Sequence, residues 1–388
     1  MKETIKLLFA LINDELFSHP LPEAYKQPLT EEVLASLYTL ADKHDLAHVV
    51  AGALYRNRLL PKGSDTAGKF QRAQVMALYR YTKLEHEYKQ ITQVLRDAEI
   101  PYIPLKGVII RPFYPQPHLR TSCDIDILVH REDLEKAAER LTTVLNYTWD
   151  KELHYHDISL FSPSGFHLEL HFSINENRES MDQLLAQVWK YSKPISEGSF
   201  EYRQTPEFFM FHQIAHMAYH FLSGGCGIRP LVDLYLLRQK MPYDEALVQA
   251  LCDQCDIGIF YERVKELSEI WFGDLSHNAL TLQMEAYVIH GGVYGNLDNS
   301  VAVKRTRSSS GFSYVMSRIF MPYELLKTKY AVLNKHKWLY PFMTVRRWFE
   351  LLSPTKRRRA ATELKKNHDI TDDDQRRMHD FLQALGLS

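Results

Sequence analysis

No run of about 18 apolar residues occurs anywhere in the chain, so no membrane-spanning helix is expected. Cysteine is scarce: Cys123, Cys226, Cys252 and Cys255 are the only four in 388 residues. That excludes a disulfide framework at this size. Cys252 and Cys255 bracket "CDQC", but no second pair completes a zinc site and no strand-to-helix redox context surrounds them. The thiols fit a reducing, cytoplasmic setting. An excess of one charge is also missing. The formal net charge is -1, so attraction to nucleic acid or acidic membranes must be local. The opening "MKETIKLLFALINDELF" lacks a small-residue cleavage site and is cut by Asn13, Asp14 and Glu15, so an amphipathic helix is expected there. No internal repeat is evident.

What is present is an ordinary globular composition, 45% hydrophobic and 24% charged, in a chain long enough for two or three domains. Helical periodicity runs through "LTEEVLASLYTLADKHDLAHVVAGALYRN", with Thr30 as N-cap, and through "QRAQVMALYRYTKLEHEYKQITQVLRDAEI". After Pro101 the period changes. "IPYIPLKG" and "DIDILVH" read as strands, "VIIRPFYP" as one or two helical turns, and "REDLEKAAERLTTVLNY" as a helix. "HDISLFSP" and "FHLELHFSI" read as a strand pair around Ser164-Gly165. From Thr205, a second N-cap followed by Pro206 and Glu207, the helical period returns. "HGGVYGNLDNS" and the Ser-rich "KRTRSSSGFS" are expected as loops, the latter mobile. The expected fold class is α+β: a small mixed-sheet core at residues 99–204, flanked by helical regions at 1–98 and 205–388.

Asp124 and Asp126 stand two apart on a strand and share a face, while Ile125 and Ile127 point into the opposite layer. Their Cα atoms are then roughly 6.5 Å apart. Two converging carboxylates can hold one or two divalent cations, and oxygen donors suit Mg²⁺. Glu169 lies between Leu168 and Leu170 in strand alternation and shares its face with His167 and His171. If that strand lies beside the Asp124 strand, three acids converge at one sheet edge. They repel one another without a cation. Taken singly, "DID" is a turn entering a strand and "LEL" ordinary alternation; the combination points to a metal site.

The order of these features resembles the nucleotidyltransferase superfamily of DNA polymerase β and the aminoglycoside nucleotidyltransferases. That pattern is a glycine turn after a strand, an acid-hydrophobic-acid pair, then one acid on a later strand. More narrowly, the stretch from Ile103 to His171 is similar to a bacterial family labelled uncharacterised nucleotidyltransferase. The matching positions are Leu105-Lys106-Gly107, Arg120, Asp124 with Asp126, and Glu169-Leu170-His171. Lys106-Gly107 replaces the superfamily's usual Gly-Ser or Gly-Gly, and Glu169 replaces a common aspartate.

The resemblance implies Mg²⁺-dependent transfer of a nucleotidyl group from an NTP such as ATP to a hydroxyl acceptor. Asp124, Asp126 and Glu169 would be catalytic and hold two Mg²⁺ ions, with Glu169 also assisting deprotonation of the acceptor. Lys106, Gly107, Arg120 and His171 would bind the nucleotide. Gly107 would let backbone amides approach phosphate, and Arg120 would suit bidentate contact. The acceptor is expected to be a small molecule, sugar or peptide before nucleic acid. A metal-dependent glycosyltransferase also uses Asp-x-Asp but needs neither the Lys-Gly turn nor Glu169. A non-catalytic nucleotide-binding protein is the third reading.

Four other features stand out. His212, His216 and His220 recur every four residues on one helix face, and are expected to line a cleft before holding a metal. Arg229 and Asp233 follow, and are read as ties between helices. "TVRRWFELLSPTKRRRAATELKK" gathers Arg346, Arg347, Lys356, Arg357, Arg358, Arg359, Lys365 and Lys366; such a run can bind nucleic acid, an anionic membrane surface or an acidic partner, and is read first as a solvated charge cluster. The aromatic-rich segment before it presents an apolar side suited to a core, a dimer contact or a surface patch.

Overall fold

The computed structural model describes residues 2–149, 156–176, 178–293, 295–308, 310–323, 326–327, 330, 332–350 and 353–387, without the side chains of 318, 334, 354–356 and 359. The side chains of Lys356 and Arg359 therefore lie outside the described residues. The architecture is α+β. Four helices come first: α1 (Lys2–Phe17), α2 (Glu31–Lys43), α3 (Ala47–Arg56) and the long α4 (Asp65–Asp97). Thr30 caps α2 by accepting from the Val33 amide, and Ser64 caps α4 through the Ala67 amide.

The sheet then forms from β1 (Tyr102–Pro104), β2 (Asp124–Val129), β3 (Thr148–Trp149), β4 (Asp157–Phe161) and β5 (His167–His171). Between β1 and β2 lies the short α5 (Gly107–Ile110), and between β2 and β3 lies α6 (Leu134–Leu145). Strand order is β1-β2-β5-β4-β3. β2 and β5 are parallel, which requires the long crossover through α6, β3 and β4; the other pairs are antiparallel. Alternation then sorts the two faces. Ile125, Ile127 and Val129 join Leu168 and Leu170 in a core with Leu84, Ile91 and Leu95 of α4 and Leu141 of α6. Asp124, Asp126, Glu169 and His171 take the other face.

That other face meets a helical layer. α7 (Glu179–Leu185) and the β6–β7 ribbon (Ser192–Pro194, Tyr202–Gln204) lead into α8 (Pro206–Leu222) and α9 (Arg229–Lys240). Thr205 caps α8 as expected, accepting from the Phe208 amide. Then follow α10 (Glu245–Gln254), α11 (Gly258–Phe272), α12 (Ala279–Gly291), α13 (Leu297–Thr306) and α14 (Gly311–Ile319). α8 to α12 share one apolar core with α1, α2 and α3. Phe9 of α1 stacks on Trp271 of α11 with ring centroids 4.5 Å apart, and Asn13 donates to the Trp271 carbonyl at 2.8 Å. The Ser-rich stretch expected as a mobile loop is helical at both ends, with Arg307, Ser308 and Ser310 between the helices. α13 continues through Thr306 and α14 starts at Gly311, with Ser310 accepting from the Ser313 amide as N-cap. Serine at a helix start satisfies an orphan N–H, so its abundance there marks a cap as readily as a loop.

No helix among the described residues is long and apolar enough to cross a membrane. All four cysteines are free. Burial raises the Cys255 thiol to about 11 and the Cys252 thiol well above its usual range, so the pair is not a reactive one.

Candidate active site

The sequence that enters β2 is clamped before it delivers its acids. Arg120 places Nε and Nη2 on both carboxylate oxygens of Asp233 in α9, at 3.1 and 2.9 Å, and its Nη1 on the Thr121 carbonyl. Tyr114 donates to the same Asp233 at 2.7 Å. Thr121 donates to Asp45, between α2 and α3, and Arg229 reaches both Asp45 and the Thr121 carbonyl at 3.0 and 3.2 Å. Arg111 holds the Arg120 carbonyl and the Ser122 hydroxyl. Asp45, Arg111, Tyr114, Arg229 and Asp233, from three parts of the chain, thus fix Arg120, Thr121 and Ser122 just ahead of Asp124.

The turn after β1 is unusual in a second way. Lys106 has φ +44° and ψ -111°, a backbone region that suits glycine and strains a residue with Cβ. Gly107 follows, packed so closely that a Cβ there would lie 3.2 Å from Arg120 Nη1 and 3.4 Å from Arg111 Nη2. The strained turn aims Lys106 inward, with Nζ 3.2 Å from Asp126 Oδ1.

Parallel register puts Asp126 opposite Glu169, Asp124 opposite His167 and Leu128 opposite His171. The three acids do converge. Two overlapping sets form, Asp124–His167–Glu169 and Asp126–Glu169–His171, each with donor atoms within 4.8 Å of one another. His171 Nε2 lies 3.1 Å from Asp126 Oδ1 and 3.4 Å from Glu169 Oε2.

The charges sort themselves by partner. Burial raises the Asp124 carboxyl above its ordinary range, and Asp126 and Glu169 push it further. Burial acts on Asp126 too, but Lys106 and His171 outweigh it and hold that carboxyl well below the usual range. The hydrogen bond from His171 lowers Glu169. His171 is lifted to about 9, its carboxylate partners overcoming burial. Asp126 therefore has its counter-charge from the protein, while burial and the two neighbouring acids outweigh Lys106 and His167 at Asp124. A hard divalent cation fits this donor set: three carboxylates for oxygen ligands, with Asp124 in need of positive charge.

A cavity of about 390 Å³ opens from these acids to α8 and α9. Its far wall holds His212, His216 and His220, so the imidazole row does face the acids. The row has a partner that sequence reading missed. Glu176, in the loop after β5, meets His216 Nδ1 at 2.6 Å, and His216 Nε2 meets His220 Nε2 at 3.1 Å. Burial depresses all three histidines, His212 and His220 to about 3 and His216 well below its usual value, so they are neutral at pH 7. Burial raises Glu176. Asp45 was the other residue missed. Its hint was the chain break in "KHDLAH", where it takes φ +52°. Arg229 and Asp233 are structural ties as expected, but they hold α9 to the loop before β2 and to the α2–α3 turn rather than to another helix. Arg120 has its fork committed to Asp233 rather than free for bidentate phosphate contact.

A mixed sheet with an acid-x-acid strand beside a single-acid strand, opening on a cleft walled by helices, defines a protein of the nucleotidyltransferase class. Residues 31–273 match the family described as uncharacterised nucleotidyltransferase, and the chain belongs to that family. The match takes in helices on both sides of the sheet, from α2 through α11. No curated protein and no solved structure matches the chain.

Proposed function

We propose that the protein transfers a nucleotidyl group from an NTP to a hydroxyl acceptor and releases pyrophosphate. The reading rests above all on the parallel register that sets Glu169 opposite Asp126 and beside Asp124. These three residues would hold Mg²⁺, one or two ions, which when bound neutralises the triphosphate. In the reaction the acceptor oxygen bonds to the α-phosphorus, the α–β bridging P–O bond breaks, and pyrophosphate departs with its electron pair. Such chemistry asks the protein chiefly for position and counter-charge.

The chain's own residues divide that work. Lys106 supplies a cation at the acid cluster, on a backbone that tolerates strain to hold it there. Gly107 keeps the turn open beside two arginines. Arg120 positions the Asp124 strand through Asp233, and His171 orients the Asp126 carboxylate. Glu176, His216 and His220 face the cluster across the cavity and serve the acceptor side. Their neutral imidazoles, too weakly basic to hold the proton, can hydrogen-bond and orient the acceptor hydroxyl, whose deprotonation falls to Glu169. The acceptor is a small molecule, a sugar or a peptide before a nucleic acid, and free thiols with an NTP substrate suit the cytoplasm. The test is Mg²⁺-dependent pyrophosphate release from labelled NTPs in the presence of cell extract. Release by the wild type, lost in Asp124→Asn with Asp126→Asn, supports the reading; release that survives in that variant overturns it.

A further inference from the structure

The helix Tyr340–Glu350 packs Tyr340 and Met343 on a small apolar cluster of Leu326, Tyr330 and Leu333, yet carries a second apolar stripe outward. Thr344 and Arg347 face inward and are buried, Arg347 donating to the Ile319 carbonyl at 3.4 Å. Phe342, Val345 and Phe349 face outward, 62%, 43% and 68% exposed, at the spacing of a single helical stripe. Trp338, 68% exposed, continues the stripe, its ring centroid 6.2 Å from that of Phe342. Phe320, half exposed, packs edge-on against Trp348 of the same helix. An apolar ridge of this kind on a globular surface marks a contact site.

Charge decides what it contacts. Between Val332 and Lys366 the chain carries ten lysines and arginines and two acids, within a protein of net charge -1. Both acids are turned to internal partners: Tyr330 donates to Glu350 and Tyr314 to Glu363. Lys335, Lys337, Arg346, Arg357, Arg358 and Lys365 are exposed. A basic rim around an aromatic and aliphatic ridge suits a surface that is anionic outside and apolar beneath. A second copy of this chain would set the same basic rims face to face, at an electrostatic cost. A nucleic acid would use the charges and the aromatic rings but not the aliphatic Val345 and the half-exposed Ile319 beside them.

We propose that this face docks the protein on an anionic lipid bilayer, with Trp338, Phe342, Val345 and Phe349 entering the headgroup–acyl boundary and the surrounding lysines and arginines meeting lipid phosphates. Interfacial helices combine these two contributions. The docking is peripheral, since no described helix can span a membrane. It stands apart from the acid cluster and does not depend on the transferase reading.

The test is flotation of the full chain with vesicles of phosphatidylcholine alone or with phosphatidylglycerol added. The wild type binds the anionic vesicles, and binding falls about tenfold or more in Phe342→Ser with Phe349→Ser and in Arg357→Glu with Arg358→Glu. Circular dichroism checks that both variants stay folded; the substituted side chains are exposed, so they do. Absence of wild-type binding, or binding that both variants retain, overturns the proposal. So does capture of a single-stranded oligonucleotide in place of vesicles, or a dimer in solution that Phe342→Ser with Phe349→Ser dissolves.

Discussion

Arg120 and Asp233, 113 positions apart in sequence, form a buried forked ion pair that ties the approach to β2 onto α9. Removing one partner of such a pair strands the other charge. Asp233→Ala is expected to cost about 3–5 kcal/mol in urea unfolding. Replacing both partners, Arg120→Met with Asp233→Leu, recovers much of that stability but not transfer activity, because Thr121 and Asp124 lose their fixed approach. If Asp233→Ala leaves stability unchanged and weakens only NTP binding, Arg120 is a phosphate ligand first and a tie second.

Lys106 offers a separate comparison. Glycine at this φ relieves backbone strain that alanine keeps. Lys106→Gly is therefore expected to be about 1 kcal/mol more stable than Lys106→Ala in the same unfolding assay. Both variants lose the Nζ contact with Asp126, and both should lose transfer activity. Equal stabilities would mean the turn is unstrained.

The pair of Glu176 and His216 predicts a kinetic effect. His216→Asn, which keeps the size and polarity of the site but removes the imidazole that orients the acceptor, should slow transfer about tenfold or more with little change in NTP binding. Stopped rates with excess labelled NTP measure it. A wild-type rate in this variant would remove His216 from the acceptor side.

His44 predicts a pH dependence. It is buried, with Nε2 3.2 Å from the Ile289 carbonyl, and burial lowers it from 6.5 to about 4. The folded state therefore binds this proton less readily than the unfolded state. Stability is full above pH 6.5, falls as pH drops from there toward about 4, and changes no further from this group below that. The contribution between pH 7 and pH 5 is about 1–2 kcal/mol. Chemical unfolding at both pH values should show a shallower dependence for His44→Gln than for the wild type. Parallel profiles would remove His44 from the account.

Period and punctuation made the acid cluster readable. Alternation in "DIDILV" and "HLELH" assigned Asp124, Asp126 and Glu169 to polar faces, because a buried strand layer leaves carboxylates no other side. The caps Thr30 and Thr205 were equally visible, since capping is local chemistry. What escaped was non-local or very short. Glu176 sits in a loop with no period, and only the histidine row opposite it signalled a missing partner. The Arg120–Asp233 fork depends on two segments meeting in space, which no local pattern encodes. β3, β6 and β7 have two or three residues each, too few for alternation to register. The helix Tyr340–Glu350 packs Tyr340 and Met343 inward as a helical period suggests, but its outward Phe342, Val345 and Phe349 could not be told from core residues by pattern alone.

The central claim is that the α-phosphoryl group, with its nucleoside, is what moves. Parallel incubations of the protein with Mg²⁺, cell extract and NTPs labelled at either the α- or the γ-phosphate test it directly. Label from the α-position should enter an acceptor, label from the γ-position should leave as pyrophosphate, and Asp126→Asn should abolish both. Transfer of the γ-label to an acceptor without the α-label would contradict nucleotidyl transfer at this site.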